Sequence, residues 1–360
     1  MSGRYIDLSW EEALSGHGAA WRGLVETADL NPSLLPDWMA CGLASLDRPA
    51  ALRAFVGLDS RGALEGVLPY YRHEIRMNGL RVRAVELGGN PVSYHQEIPS
   101  VRDPGELLEH FLAQPDDWDM LCMINLGVGG PTWLAARKAA GTHGLPLIAL
   151  PGESSPFMTL EGGWEDYLGT KSKKHRYRLR KQEKLLFGSP GLRMEWFESH
   201  CEGLLDAMLR IESGSWKASA GMDIPGRPHE LRYHRRLLPM LVERRLLLAN
   251  VLYSGGEPAA YGLCYRWNGR IGQLKTSFQE KFAEWSPGAL VLMATLRRAF
   301  DEGCREFDFL GDEMPHKTIW DTRTRAHETL MIFGPSKKGR LLGGLKGMLA
   351  RARRIAGEGK

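Results

Sequence analysis

The chain has 360 residues, 47 Lys and Arg against 43 Asp and Glu, a formal net charge of +4, an apolar share of 43 % and a charged share of 25 %. These proportions are those of a folded globular protein; they exclude a disordered chain, a collagen-like repeat and a uniformly basic coat protein for nucleic acid. The charge is uneven: residues 171–184 and 337–360 each carry +7, which leaves −10 on the rest.

In chain order, a helix is expected over 10–27, a turn at Asn31-Pro32, and a second helix opened by Pro36-Asp37-Trp38, since proline at an early helical position sacrifices no hydrogen bond. Residues 51–58 and 63–72 read as a hairpin, 81–87 as a third strand and 104–113 as a helix. The apolar run 118–126 predicts a buried central strand. A helix follows at 132–143, then short strands at 147–150 and 157–160. A helical stretch from Trp164 to Phe187 is stopped by Gly188-Ser189-Pro190-Gly191. After it come a strand (193–197) and helices (202–213 and 227–244), then three strands (246–253, 259–267 and 271–277). Asn268-Gly269 is the strongest hairpin signal in the chain, because both residues accept positive φ. A helix over 287–302 and a last strand over 305–310 complete the pattern. The order is a mixed-sheet α/β (α+β) arrangement. The expected division is 1–160, 161–335 and a basic tail, 336–360.

Five widely spaced cysteines without a C-x-x-C pattern predict reduced, buried thiols in a cytoplasmic protein. The first ten residues lack the apolar core of a signal peptide, and the best apolar run, 290–296, is far shorter than a membrane span. His229 and His234 are five apart, off a shared helix face, so no metal is expected.

Five segments could carry chemistry. Ser286-Pro287-Gly288-Ala289 opens a helix, where free N–H groups and the positive dipole end suit phosphate oxygens; alternatively Ser286 only caps the helix. Asp312, Glu313, His316 and Lys317 follow the last strand and offer general bases or substrate anchors; alternatively they form a solvated turn. Glu212, Trp216 and Lys217 flank a helix end and would line a substrate, unless Trp216 merely anchors a loop. The basic run 171–184 suits RNA or another phosphate, or else is a solvated helix face. In the tail, Leu341, Leu345, Met348 and Leu349 align opposite basic groups, which suits peripheral contact with an anionic membrane; its many glycines suit a frayed end instead.

Taken in order, Trp164-Glu165-Asp166-Tyr167-Leu168, the basic run to Lys181, Ser215-Trp216-Lys217, Ser286-Pro287-Gly288 and Phe307-Asp308-Phe309-Leu310-Gly311-Asp312-Glu313 with Lys317 and Trp320 resemble the CelD/BcsL family, linked to cellulose and exopolysaccharide synthesis. Pro36-Asp37-Trp38, Val67 to Tyr71 and Leu87-Gly88-Gly89 extend the resemblance over residues 30–335. It implies a GNAT fold, as a tandem pair like the Fem-type transferases, and transfer of an acyl group from acyl-CoA, without metal, to an amine or hydroxyl of a polysaccharide or cell-envelope precursor.

On that resemblance, backbone N–H groups near Thr276 and Ser277 would meet the thioester oxygen, and Ser286, Pro287, Gly288 and Ala289 the pyrophosphate. Asp312, Glu313, His316 and Lys317 would serve catalysis; Glu212, Trp216, Lys217 and Trp320 would bind the acceptor. Ser286-Pro287-Gly288 departs from the usual phosphate loop, and His316 stands where the family has Tyr. The alternatives are a Fem-like transferase using aminoacyl-tRNA, which the absence of a helical arm disfavours, and a non-catalytic GNAT-like partner of an exopolysaccharide complex. DNA is not an expected partner. The expected location is the cytoplasm, peripheral to the inner membrane.

Overall fold

The computed structural model describes residues 3–43, 45, 52–77, 79–88, 95–114, 118–320 and 322–344. The chain divides into two compact units, 1–154 with 325–360, and 155–324.

Strand β1 (Arg4–Ser9) leads into helix α1 (Trp10–Thr27), whose first turn is closed by reciprocal bonds between Ser9 and Glu12. Helix α2 (Pro36–Leu43) follows, with proline first, as expected. Then come the meander β2 (Leu52–Leu58), β3 (Leu64–Met77) and β4 (Leu80–Leu87), helix α3 (Gly105–Leu112), strand β5 (Met120–Gly127) and helix α4 (Pro131–Thr142). Where two short strands were expected, a single strand β6 (Leu147–Thr159) runs through.

The expected helix from 164 to 187 is broken into α5 (Trp164–Thr170) and α6 (Lys173–Gly188). Lys171 is extended, and the Ser172 hydroxyl accepts the His175 N–H, so a new N-terminus starts there. Next are β7 (Leu192–Phe197), α7 (Leu204–Ser213), α8 (Trp216–Ser219) and α9 (Pro228–Glu243). The second meander is β8 (Leu247–Ser254), β9 (Glu257–Trp267) and β10 (Arg270–Phe278). Helix α10 (Pro287–Asp301), strand β11 (Glu306–Asp308) and the turn of helix α11 (Pro315–Thr318) complete the second unit.

A strand the sequence reading lacked, β12 (Arg323–Phe333), pairs antiparallel with β5 and returns the chain to the first unit. Residues 325–344 therefore group with the first unit. The charged, exposed first half of β12 hides its alternation.

The two units repeat one wiring. In the first, β1, β2, β3 and β4 are antiparallel neighbours and β5 lies parallel to β4. In the second, β7, β8, β9 and β10 are antiparallel neighbours and β11 lies parallel to β10. Each parallel pair is short: Ala84–Glu86 on Met120–Cys122, and Arg270–Gly272 on Glu306–Asp308. The crossover helices α3 and α10 supply the connection that parallel neighbours require.

In the second unit α10 covers one face of the meander, burying Leu290, Val291 and Leu296 against Leu248, Leu252, Ala260 and Ile271. Helices α7 and α9 pack on the strands too; by strand alternation Tyr261 faces α7, where its hydroxyl meets Glu212. Trp320 is 2 % exposed within the α10-side core.

Candidate active site

The geometry is set where β10 and β11 part. They pair at Arg270, Ile271 and Gly272 only. Beyond that, β10 continues on β9 to Phe278, and its other edge has no strand partner among the described residues.

A β-bulge lies between Gln273 and Lys275, placing Leu274 as the extra residue. Before it, Gly272 is paired with Tyr265; after it, Lys275 faces Leu263 and Ser277 faces Tyr261. The Gln279 N–H donates to the Ala259 carbonyl at 2.9 Å, which fixes the alternation of the ladder. Thus Ser277 turns its N–H toward β9, and Thr276 and Phe278 turn theirs to the free edge. Of the two residues expected to meet a thioester oxygen, Thr276 has the required direction and Ser277 does not.

Helix α10 begins beside this edge. Ser286 is left-handed (φ 55°) and its side chain makes no capping bond. Its carbonyl instead accepts the N–H groups of Ala289 (3.0 Å) and Leu290 (3.3 Å). Pro287 has no N–H, so Gly288 carries the first-turn N–H left for a ligand oxygen. A side chain at Gly288 would press on the Phe278 ring at 3.2 Å, so glycine lets the helix start sit against the end of β10.

The turn after β11 is held from several directions. Asp308 Oδ1 accepts the Leu310 N–H at 2.9 Å and the Ser155 hydroxyl at 3.2 Å. Leu310 is left-handed (φ 48°). The Lys317 ammonium donates to the Leu310 carbonyl and, at 2.9 Å, to the Asp312 carbonyl. Lys317 is buried and committed to the backbone, which corrects its expected catalytic role: it maintains a strained turn. Asp312, Glu313 and His316 are exposed on that turn, and the Glu313 carboxylate accepts from the Thr324 hydroxyl. Desolvation about the ring first, and the Lys317 charge second, push the His316 pKa below its ordinary value.

Glu212 and Lys217 are not free to line an acceptor. Glu212 is fully buried at the end of α7. Its Oε1 accepts from the Tyr261 hydroxyl at 2.6 Å and Lys217 Nζ at 3.0 Å, and its Oε2 from the Ile224 N–H at 2.9 Å. Lys275 Nζ lies 3.8 Å from Glu212 and 2.8 Å from Glu230. Burial alone would push the Glu212 pKa up, but Lys217, Lys275 and the Tyr261 bond outweigh it and hold the pKa down. Burial pushes Lys217 down, against the pull of Glu212. Lys217 also donates to the Thr276 carbonyl at 2.8 Å. Trp216 is 46 % exposed beside it, whereas Trp320 lies in the core, too deep for its expected acceptor role.

The sequence reading missed Tyr261, Lys275, Glu230 and the bulge at Leu274. Alternation in β9 and β10 marks their faces, but nothing in composition marks a bulge.

In the basic run, Lys171 is buried with its ammonium 4.0 Å from the centre of the Tyr167 ring. Arg180 is bound to Glu165 and Glu183. Lys173, Lys174, Lys181 and Lys184 are exposed, with Tyr177 72 % exposed between them. Of the tail, 337–344 is described and is helical. Leu342 is buried, Leu341 is exposed and Lys338 pairs with Asp119. Side chains at Gly339 or Gly343 would come within 2.6–2.7 Å of neighbours, so these glycines are close-packing positions, not signs of fraying. Leu345, Met348 and Leu349 lie outside the described residues.

Residues 173–318 match the family model of the acetyltransferase (GNAT) domain. No curated protein sequence matches the chain significantly. Among solved structures the fold is similar to FemX (TM-score 0.61, 11 % identity, 90 % of this chain and 96 % of that one). It is similar to a tandem GNAT protein from the clavulanic acid biosynthesis pathway (TM-score 0.51, 15 % identity, 93 % and 100 %). It is also similar to the C-terminal domain assigned to a lysylphosphatidylglycerol synthetase from Agrobacterium fabrum (TM-score 0.54, 11 % identity, 91 % and 94 %). The match and the parted β10 and β11 agree on the same segment: the chain carries a GNAT acetyltransferase domain over residues 173–318 and is an acyltransferase of that type.

Proposed function

We propose that the chain transfers an acyl group from acyl-CoA to an amine or hydroxyl of a polysaccharide or cell-envelope precursor, in the manner expected of a CelD/BcsL-like protein. The observation that carries the donor half is the free edge of β10, where the Thr276 and Phe278 N–H groups face the opening beside the Gly288 N–H of α10. The pantetheine would lie along that edge, the pyrophosphate at the α10 start, and the thioester oxygen within reach of Thr276 N–H.

The acceptor lone pair attacks the thioester carbonyl carbon. The new C–N or C–O bond forms, the C–S bond breaks, and the CoA thiolate leaves. The acceptor proton passes to a base on the turn after β11, with His316, Asp312 and Glu313 as the exposed candidates. A histidine held below its ordinary pKa is neutral at pH 7 and able to accept it. Exposed Trp216 is the acceptor-side residue that this reading retains.

Isothermal titration with acetyl-CoA and longer acyl-CoAs tests the donor, and release of CoA thiol with amino-sugar and sugar acceptors tests transfer. Saturable binding is expected; its absence across chain lengths removes the reading.

A second reading, aminoacyl-tRNA as donor, draws on the exposed lysines of α6. Titration with charged and uncharged tRNA across salt separates the two, since phosphate contacts give a steep salt slope. Peripheral membrane contact through 337–360 is a separable proposal, tested by liposome flotation with and without that segment.

A further inference from the structure

We propose that Lys217 is a positioning residue for the donor edge, its ammonium fixing the Thr276 carbonyl so that the neighbouring N–H points at the thioester oxygen. The proposal rests on the acyl-CoA reading above.

On a strand edge, the N–H and C=O of one residue point the same way. The free edge of β10 therefore offers Thr276 N–H, which would attract the thioester oxygen, alongside Thr276 C=O, which would repel it. Lys217 Nζ removes that conflict by donating to the carbonyl at 2.8 Å. It also leaves a positive charge next to the oxygen that becomes negative in the transition state, where electrostatic preorganisation is most effective.

Lys217 cannot swing away. Its ammonium is held at 3.0 Å by Glu212, and Glu212 is in turn fixed by Tyr261 and by the Ile224 N–H. Tyr261 lies opposite Ser277 on the adjacent strand, so the support is tied to the ladder it braces. Lys275 is drawn off to Glu230 at 2.8 Å and does not compete for the Thr276 carbonyl. One buried acid thus sets the position of one ammonium, and that ammonium sets the donor edge.

The test compares the full chain with Lys217→Met and Lys217→Arg. The readouts are acyl-CoA affinity, kcat and KM, and the infrared carbonyl band of bound acetyl-CoA labelled with carbon-13 at the thioester. The expected result for Lys217→Met is affinity within about threefold, kcat lower by about a hundredfold, as for loss of an oxyanion donor, and a carbonyl band moved toward its free frequency. Lys217→Arg should restore part of kcat and of the band position. If Lys217→Met does not fold, Lys217→Gln, which keeps a neutral donor but no charge, replaces it: a smaller fall in kcat and a smaller shift of the band are expected, and no change in either overturns the role.

Binding of acetyl-CoA with an unmoved band and unchanged kcat in the folded variant overturns the positioning role and leaves the donor reading intact. Failure of the unaltered chain to bind any acyl-CoA removes the donor reading, and this proposal with it.

Discussion

Gln96 forms a parallel bridge with Leu126 at the point where β4 has already left β5. In the first unit the chain closes its own strand split: the Gln96 N–H donates to the Asn125 carbonyl, and the Val67 N–H to the Pro99 carbonyl. Among the described residues of the second unit, no strand or bridge fills the equivalent split. The start of α3 is also occupied, since Asp103 accepts the Gly105 N–H at 2.9 Å and puts a carboxylate where a pyrophosphate would need to be.

One acyl-CoA per chain is therefore expected. Titration should give a stoichiometry near one, and Gly288→Asp, which adds a negative side chain at the α10 start, should weaken binding by at least about tenfold. Two equivalent sites, or binding unaffected by that change, would contradict the assignment to the second unit.

His316 sets an expectation for pH. Its pKa lies below the ordinary value, so the base is neutral and active at pH 7 and is lost as pH falls through that lowered pKa. The acidic limb of the kcat/KM profile should therefore sit below about 6.5, the unperturbed histidine value. His316→Ala should abolish that limb. A limb that persists in His316→Ala and disappears in Asp312→Ala or Glu313→Ala transfers the role to the acid.

Asp119 is fully buried in the first unit and accepts from the Arg83 guanidinium, the Arg83 N–H, the Ser336 hydroxyl and the Lys338 ammonium. Burial pushes its pKa up, but Arg83 and Ser336 outweigh this and hold it below the ordinary value. A depressed folded pKa gives stability that is present above about pH 4, the unfolded value, and lost as pH falls toward the folded one. Asp119→Asn should cost about 1–3 kcal/mol, because a neutral amide replaces the buried charged acceptor of Arg83 and Lys338, which themselves keep contact with solvent. It should also flatten acid denaturation below about pH 4, which chemical denaturation across pH measures.

Gly272 lies under the Tyr265 ring, where an added Cβ would fall 2.2 Å from a ring carbon. Gly272→Ala should destabilise by about 1–3 kcal/mol through overpacking. Tyr265→Ala in the same chain should recover part of that loss, and a double-mutant cycle in urea reads the coupling. Additive effects would mean that the ring is not what excludes the side chain.

Trp320 separates a core role from a binding role. Trp320→Ala should lower stability by about 3–5 kcal/mol, the usual cost of emptying a large buried site. In protein that remains folded at low temperature, KM for the acceptor should be unchanged.

Much of the fold is legible in the residues. Asn268-Gly269 dictates the hairpin between β9 and β10, Pro287 the helix start, and the run 118–126 the buried strand β5, because each signal is local. Strand β12 is not legible, since its pairing partner β5 is some two hundred residues distant in sequence and its first residues are charged. The break at Ser172 is legible in hindsight as a cap inside a basic run, although the run by itself reads as one helix.

For the site, the sequence determined the neighbourhood: a strand ending near Thr276 and Ser277, a helix opened by Pro287 and Gly288, and an acidic turn with His316 and Lys317. Only the tertiary structure decided what each group does. Long-range contacts turned Lys317 onto backbone carbonyls, sank Trp320 into the core and joined Glu212 to Tyr261 and Lys217. The extra residue in the bulge decided the rest. A strand alternates with period two, so one inserted residue exchanges the edge each later N–H faces, and Thr276 rather than Ser277 meets the opening.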